Sequence, residues 1–162
     1  MTIRDATAAD AAAIAAIWNP VIRDSEITFN SVEKSAAEVA ALIAERHAAG
    51  HAFLVAETDR TVRGFASYSQ FRGGSGYVHT MEHTVILSAA ARGLGLGRAV
   101  MQALEDHARA RSVHAMIAGI SSANPDAMRF HARLGYVEVG VLPETGRKFG
   151  RLYDLHLMQK RL

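Results

Sequence analysis

Thr84–Arg111 reads TVILSAAARGLGLGRAVMQALEDHARAR, and its interpretation decides the fold. Thr84–Leu87 is β-branched and apolar, which predicts a buried strand. Arg92, Gly93, Leu94, Gly95, Leu96, Gly97 and Arg98 then place a glycine at every second position between two arginines. Ala99, Val100, Ala103, Leu104, His107 and Ala108 follow at helical spacing and form one apolar stripe. A strand, a glycine-rich turn and a helix N-terminus present unpaired amides at the positive end of a helix dipole. Glycine lets a ligand approach that backbone closely, and arginine adds forked donors for phosphate oxygens. The stretch therefore predicts a phosphate or pyrophosphate site.

The motif narrows the ligand. The dinucleotide pattern G-x-G-x-x-G fails in either register, because Arg98 or Val100 occupies its last position. The phosphate loop G-x-x-x-x-G-K-[ST] is absent as well. What fits is R-x-x-G-x-G, from Arg92 to Gly97.

Working outward, Thr2–Ala6 predicts a first strand, and Thr7–Asp10 a capping box before a helix burying Ile14, Ile17 and Trp18. Asn19-Pro20 should end or bend that helix. Asp24–Val32 is polar and irregular but holds Ile27 and Phe29, as core plugs or substrate walls. Ser35–Glu38 is a second capping box, whose helix buries Val39, Leu42 and Ile43 and stops at Gly50. Ala52–Thr58 and Val62–Phe71 predict a hairpin around Asp59-Arg60, and Arg72–Gly76 a flexible loop. Strands are expected over Val78–Leu87, Val113–Ile120, Tyr136–Leu142 and Leu152–Met158, with a basic loop at Pro143–Gly150. Asn124-Pro125 starts a helix that runs to Leu134 and is capped by Gly135. This order, β-α-α-β-β-β-α-β-α-β-β, gives a mixed sheet with helices on both faces.

The 162 residues suit one domain, residues 1–162, without repeats or linkers. With 18 Lys and Arg spread against 16 Asp and Glu, no basic run or aromatic platform points to nucleic acid. The absence of cysteine excludes a cysteine acyl-enzyme and fits a reducing cytoplasm. No apolar run approaches a membrane span, and MTIRDATAAD lacks a signal-peptide pattern. His79 and His83 have no third ligand nearby on a strand, so no metal is expected.

The Arg92–Gly97 loop resembles the acetyl-CoA pyrophosphate loop of the GNAT superfamily of N-acetyltransferases. NPDAMRFHARLGY, Asn124–Tyr136, resembles that family's N-x-x-A-x-x-x-Y-x-x-x-G-F, with His131 in place of tyrosine. YVHTMEHT, Tyr77–Thr84, and GRKFGRLYD, Gly146–Asp154, are similar to the phosphinothricin acetyltransferase-like branch. The resemblance covers essentially the whole chain. It implies an α/β fold of GNAT type, with a mixed, mostly antiparallel seven-stranded sheet. It also implies acetyl transfer from acetyl-CoA to the α-amine of a free amino acid or analogue: phosphinothricin, methionine sulfoximine or methionine sulfone. Alternatives on the same scaffold are a protein or peptide N-terminal acetyltransferase and a non-catalytic acyl-CoA-binding module.

The chemistry needs a proton acceptor for the substrate ammonium, and Glu82, shielded in mid-strand, suits it; the alternative is a solvent-facing edge glutamate. Thr80, Glu82 and Thr84 share one strand face. Family position makes His131 a general acid, against a packing or cofactor-contact role. It also implies an oxyanion-binding amide near Ile86 or Leu87, and a cofactor contact at Asn124 beside its capping role. Phe29, Arg72, Tyr77 and Thr80 are implied to line the amine pocket; Arg72 equally reads as a solvated loop residue. Lys148 and Arg151 read as solvated charges. A homodimer is expected by similarity.

Overall fold

The computed structural model describes residues 1–162. Seven strands form one sheet: β1 (Thr2–Asp5), β2 (Phe53–Thr58), β3 (Thr61–Gln70), β4 (Thr80–Leu87), β5 (Ala115–Ser121), β6 (Val137–Lys148) and β7 (Arg151–Arg161). Their spatial order is β1-β2-β3-β4-β5-β7-β6, and only β4–β5 is parallel. The helices are α1 (Ala11–Asp24), α2 (Ala36–Ala48), α3 (Leu96–Ala110) and α4 (Pro125–Arg133). The expected element order and sheet type are therefore present.

Two cores flank the sheet. α1 and α2 bury Ile14, Trp18, Ile22, Val39 and Ile43 against Phe53, Val55 and Phe65. On the other face, α3 buries Leu96, Val100, Met101, Leu104 and Ala108 against Met81, Met116 and Ala118, and Phe130 of α4 joins them. The second cluster is the larger, and α3, the helix that follows the glycine turn, buries more of its residues than any other helix.

Local chemistry explains most boundaries. Ser35 accepts from the Glu38 amide, and Glu38 accepts from the Ser35 amide, completing the predicted box. Asp59 and Arg60 both take positive φ, 49° and 58°, as a two-residue hairpin turn demands. Asn124 caps α4 by accepting from the Ala127 amide at 3.1 Å, with Pro125 in the first turn.

Three expectations need correction. Pro20 does not stop α1, which continues to Asp24. The proline lies on the exposed side, while Trp18 and Ile22 bury the opposite one and Asn19 exchanges two hydrogen bonds with the Lys34 backbone. Packing on that face outweighs one lost helical bond. Second, Pro143–Lys148 is not a loop but the end of β6. β6 is the edge strand, where a residue without an N–H is tolerated, and the irregularity is absorbed by a register shift between Leu142 and Gly146. Third, Thr84–Leu87 is not buried: Thr84 is exposed and Val85–Leu87 are half-buried. β5 pairs with β4 only along Thr80–Glu82, and beyond Glu82 the two strands part.

Asp10 joins β1 to the first turn. Its carboxylate takes two bonds from Arg4, at 2.8 and 2.9 Å, and one from the Thr7 amide. Chiefly the Arg4 bonds lower its pKa from 3.8 to about 2. A depressed carboxylate stabilises the fold above its unfolded pKa, and that stability is lost as pH falls through the folded value. Unfolding free energy should drop by about 2 kcal/mol from this group between pH ~4 and pH ~2. Urea titrations of the wild type and Asp10→Asn check this, because the variant should lack that part of the slope.

Candidate active site

The parting of β4 from β5 opens a cavity of about 490 Å³. Thr84, Val85, Ile86, Leu87, Ser88 and Arg92 form one wall. Ala118, Gly119 and Ile120 of β5, with Asn124, Asp126, Ala127, Phe130 and His131 of the α4 region, form the other. Trp18, Ile27, Thr28 and Asn30 roof it on the α1–α2 side.

The main chain of β4 supplies donors to this space. Ser88 N–H donates to Arg63, and Phe71 N–H donates to the Thr80 carbonyl, so even-numbered groups of β4 face β3. Alternation turns odd-numbered groups toward β5. Past Glu82 that side has no partner strand, so the N–H groups of Val85 and Leu87 open into the cavity, whereas that of Ile86 belongs to the β3 ladder.

At the cavity's outer end, Gly93 and Gly95 take φ of 75° and 73°, with nothing within 4 Å of either Cβ position. Gly95 is the residue before α3, and no side chain caps the helix. The first amides of α3 are therefore left for an external acceptor. Arg92 lines the cavity; Arg98 and Leu94 are exposed beside it. Leu96 is wholly buried in the α3 core, so only its main chain can serve a ligand. Gly97 is buried, and a Cβ there would lie 3.0 Å from Leu87 and 3.1 Å from Phe130. These residues fit a diphosphate at the helix end with its arm running between β4 and β5.

Glu82 sits at the point of parting. Its carboxylate has no hydrogen-bond partner, and burial pushes its pKa above the usual carboxylate value. Its Oε1 would lie 2.9 Å from a Cβ on Gly119, a residue of the cavity wall, so it takes the space that glycine leaves; Glu82 itself lines a smaller hollow of about 40 Å³ on the α1–α2 face, which shares Trp18 and Thr84 with the cavity. An isolated glycine inside the apolar β5 sequence is the signal for such a close approach.

His131 lies across the sheet from Glu82. Its Nδ1 donates to the Ala127 carbonyl at 2.7 Å, which leaves the lone pair of the neutral ring on Nε2. Nε2 is buried and has no partner within the protein. The ring stacks on His83, with centroids 5.0 Å apart and planes 21° apart. Burial, and then His131, lower the His83 pKa to about 3, and burial lowers that of His131. Both rings are therefore neutral near pH 7. The resting His131 presents an acceptor, not a proton.

The other predicted pocket residues lie apart from the cavity. Arg72 and Tyr77 are exposed in the β3–β4 connection, where Gln70 Nε2 ties down the carbonyls of Arg72 and Gly74. Thr80 begins β4 opposite Ala115. Phe29 stacks on Tyr153, 6.2 Å between centroids, over Gly146. Asn124 does line the cavity, with its Oδ1 already used by the cap. Lys148 is corrected: it is 3% exposed, not solvated. Sequence reasoning also missed Trp18, Gly119 and His83 as parts of the cavity and its rim.

Residues 18–136 match the model of the acetyltransferase (GNAT) family. The chain belongs to that family. It is 39% identical, over all of its length and 94% of the relative's, to the L-amino acid N-acyltransferase MnaT of Escherichia coli K12. It is 38% identical to the L-methionine sulfoximine/L-methionine sulfone acetyltransferase of Salmonella typhimurium LT2, covering all of this chain and 95% of that one. The phosphinothricin acetyltransferase of Sinorhizobium meliloti, solved in complex with AcCoA, superposes with a TM-score of 0.94. That match has 34% identity and covers 99% of this chain and 88% of the other. This chain carries the split between β4 and β5 with a glycine turn at one end and a shielded carboxylate at the other.

Proposed function

We propose that the protein transfers acetyl from acetyl-CoA directly to the α-amine of a free amino acid or analogue such as methionine sulfoximine, methionine sulfone or phosphinothricin. The observation that carries this reading is the unpartnered carboxylate of Glu82, pressed against Gly119 where β4 and β5 part. The relatives' activities supply the acceptor class.

Glu82 takes one proton from the substrate ammonium, directly or through water, and releases it later to solvent. The freed amine attacks the thioester carbonyl. The resulting oxyanion is met by main-chain N–H groups of the β4 edge, where Leu87 and Val85 face the cavity. The bare Nε2 of His131 takes the second proton from the nitrogen of the tetrahedral intermediate. As the C–S bond breaks, it passes that proton to the departing sulfur. His131 thus acts as an acid only after it has acted as a base, which suits the orientation fixed by Ala127. The diphosphate is held by amides of Gly93–Arg98 and by Arg92, and Asn124 flanks the arm. Arg72, Tyr77, Thr80 and Phe29 belong to the acceptor side in this reading, with Arg72 brought to a substrate carboxylate only by movement of its exposed loop.

The same reading makes the chain one domain, working in the cytoplasm on free metabolites rather than on nucleic acid or membrane. It also makes the protein a homodimer, a role for which exposed Val137, Val139 and Val141 on edge strand β6 are suited. A thiol-release assay with free amino acids, the three analogues and peptide N-termini tests the function. Turnover is expected on free α-amines. Turnover confined to peptides, or binding of acetyl-CoA without any turnover, would overturn it.

A further inference from the structure

Lys148 stands at the tip of the β6–β7 hairpin and is 3% exposed, yet it pairs with no carboxylate. Its Nζ instead donates to three main-chain carbonyls: Ile22 at 2.5 Å, Thr28 at 3.2 Å, and Asn30. Three acceptors around one nitrogen require three N–H bonds, so the group is an ammonium. These carbonyls belong to the end of α1 and the connection to α2, more than a hundred residues away in sequence. A second contact pins the same segment. The Phe29 ring occupies the place of a side chain on Gly146, where a Cβ would lie 2.2 Å from it, and stacks on Tyr153.

That segment is the roof of the cavity: Ile27, Thr28 and Asn30 line it. The roof lies on the α1–α2 face of the sheet, the face on which Glu82 lines a hollow with Trp18, Leu42, Phe53 and Phe65, while Asn124, Phe130 and His131 stand on the other. We propose that Lys148 is a positioning residue for acceptor binding: its caged ammonium fixes the roof over the Glu82 side of the cavity, so that affinity for the amine depends on the hairpin tip. A buried ammonium satisfied only by main-chain oxygens holds backbone rather than balancing a local charge. A loop of this length would otherwise sample many conformations, and each would cost ordering on binding. The arrangement also explains why a basic hairpin tip belongs to the site without touching it.

The inference rests on the acceptor class proposed above. Kinetics on methionine sulfone with Lys148→Met are expected to show the amine KM raised about tenfold or more, with kcat changed less than about threefold. Calorimetric acetyl-CoA affinity should stay within about twofold of wild type. Lys148→Ala removes a propylamine's worth of atoms. Added n-propylammonium should lower its raised KM, with N-acetyl methionine sulfone quantified by chromatography so that acetylation of the rescuer does not interfere. Hydrogen exchange of residues 25–34 should accelerate in Lys148→Met while that of α3 and β5 does not. An unchanged amine KM overturns the proposal, and so does a parallel loss of amine and acetyl-CoA affinity with faster exchange throughout, which marks damage to the fold. If the wild type itself acetylates no free amine, the functional reading fails. Exchange at 25–34 then decides the clamp alone, with no change refuting it.

Discussion

Glu82→Gln should turn over roughly 10²- to 10⁴-fold more slowly than wild type, the usual range for loss of a positioned general base. The variant keeps the size and shape of the side chain, so the contact with Gly119 and the split of the strands persist. Acetyl-CoA binding measured by calorimetry should therefore remain near normal, and the loss should appear in kcat as well as kcat/KM. The pH profile adds a second check with a fixed sign. Burial holds the Glu82 pKa above 4.5. Turnover in the wild type should fall as pH drops through that raised value and the carboxylate becomes protonated, and should lose this limb in the variant. Equal rates for the two enzymes across pH would remove Glu82 from proton transfer.

Gly95→Val should weaken acetyl-CoA binding by about tenfold or more while leaving α3 in place. Gly95 sits at φ 73° and ψ 1°, a left-handed conformation that costs an ordinary residue about 1–2 kcal/mol, and a β-branched one more. There is open space around its Cβ position, so the penalty is one of backbone angle and not of collision. α3 itself is held by Leu96, Val100, Met101 and Leu104 in the core. The strain is thus relieved by rotating the exposed turn, which swings the amides of Gly93–Leu96 away from the diphosphate. Gly95→Asn should lose far less, because asparagine tolerates left-handed angles. Gly140→Ala is the control, since Gly140 has neither positive φ nor a neighbour within 4 Å. Calorimetry that ranks the three variants alike would refute the diphosphate assignment for this turn.

Both predictions begin from residues that sequence singled out, but they became visible in different ways. The turn is legible because glycine periodicity, flanking arginines and the following apolar stripe are all local. Glu82 was legible only as a carboxylate in a strand; its shielding depends on Gly119, which enters from the neighbouring strand. His131 reads as a helix residue of family position. The proton it lacks at Nε2 follows from the Ala127 carbonyl four residues earlier, and its neutral state from burial between β4 and α4. The resemblance implies Arg72 and Tyr77 for the amine pocket, and in the fold both are exposed in the β3–β4 connection. Lys148 looked like one of several charges in a basic loop, and no local pattern marks it as buried.

The sequence by itself determined the order of helices and strands, their caps and tight turns, and the anion-binding bend, because hydrogen bonds and dihedral preferences within a few residues decide those. Tertiary structure alone decided where β4 leaves β5, which amides of β4 remain unpaired, that Pro20 stays helical and Pro143 stays in an edge strand, and that the Lys148 ammonium is caged beneath the cavity roof. Each of these depends on groups brought together from distant parts of the chain, whose burial and pairing outweigh the local preference at the position.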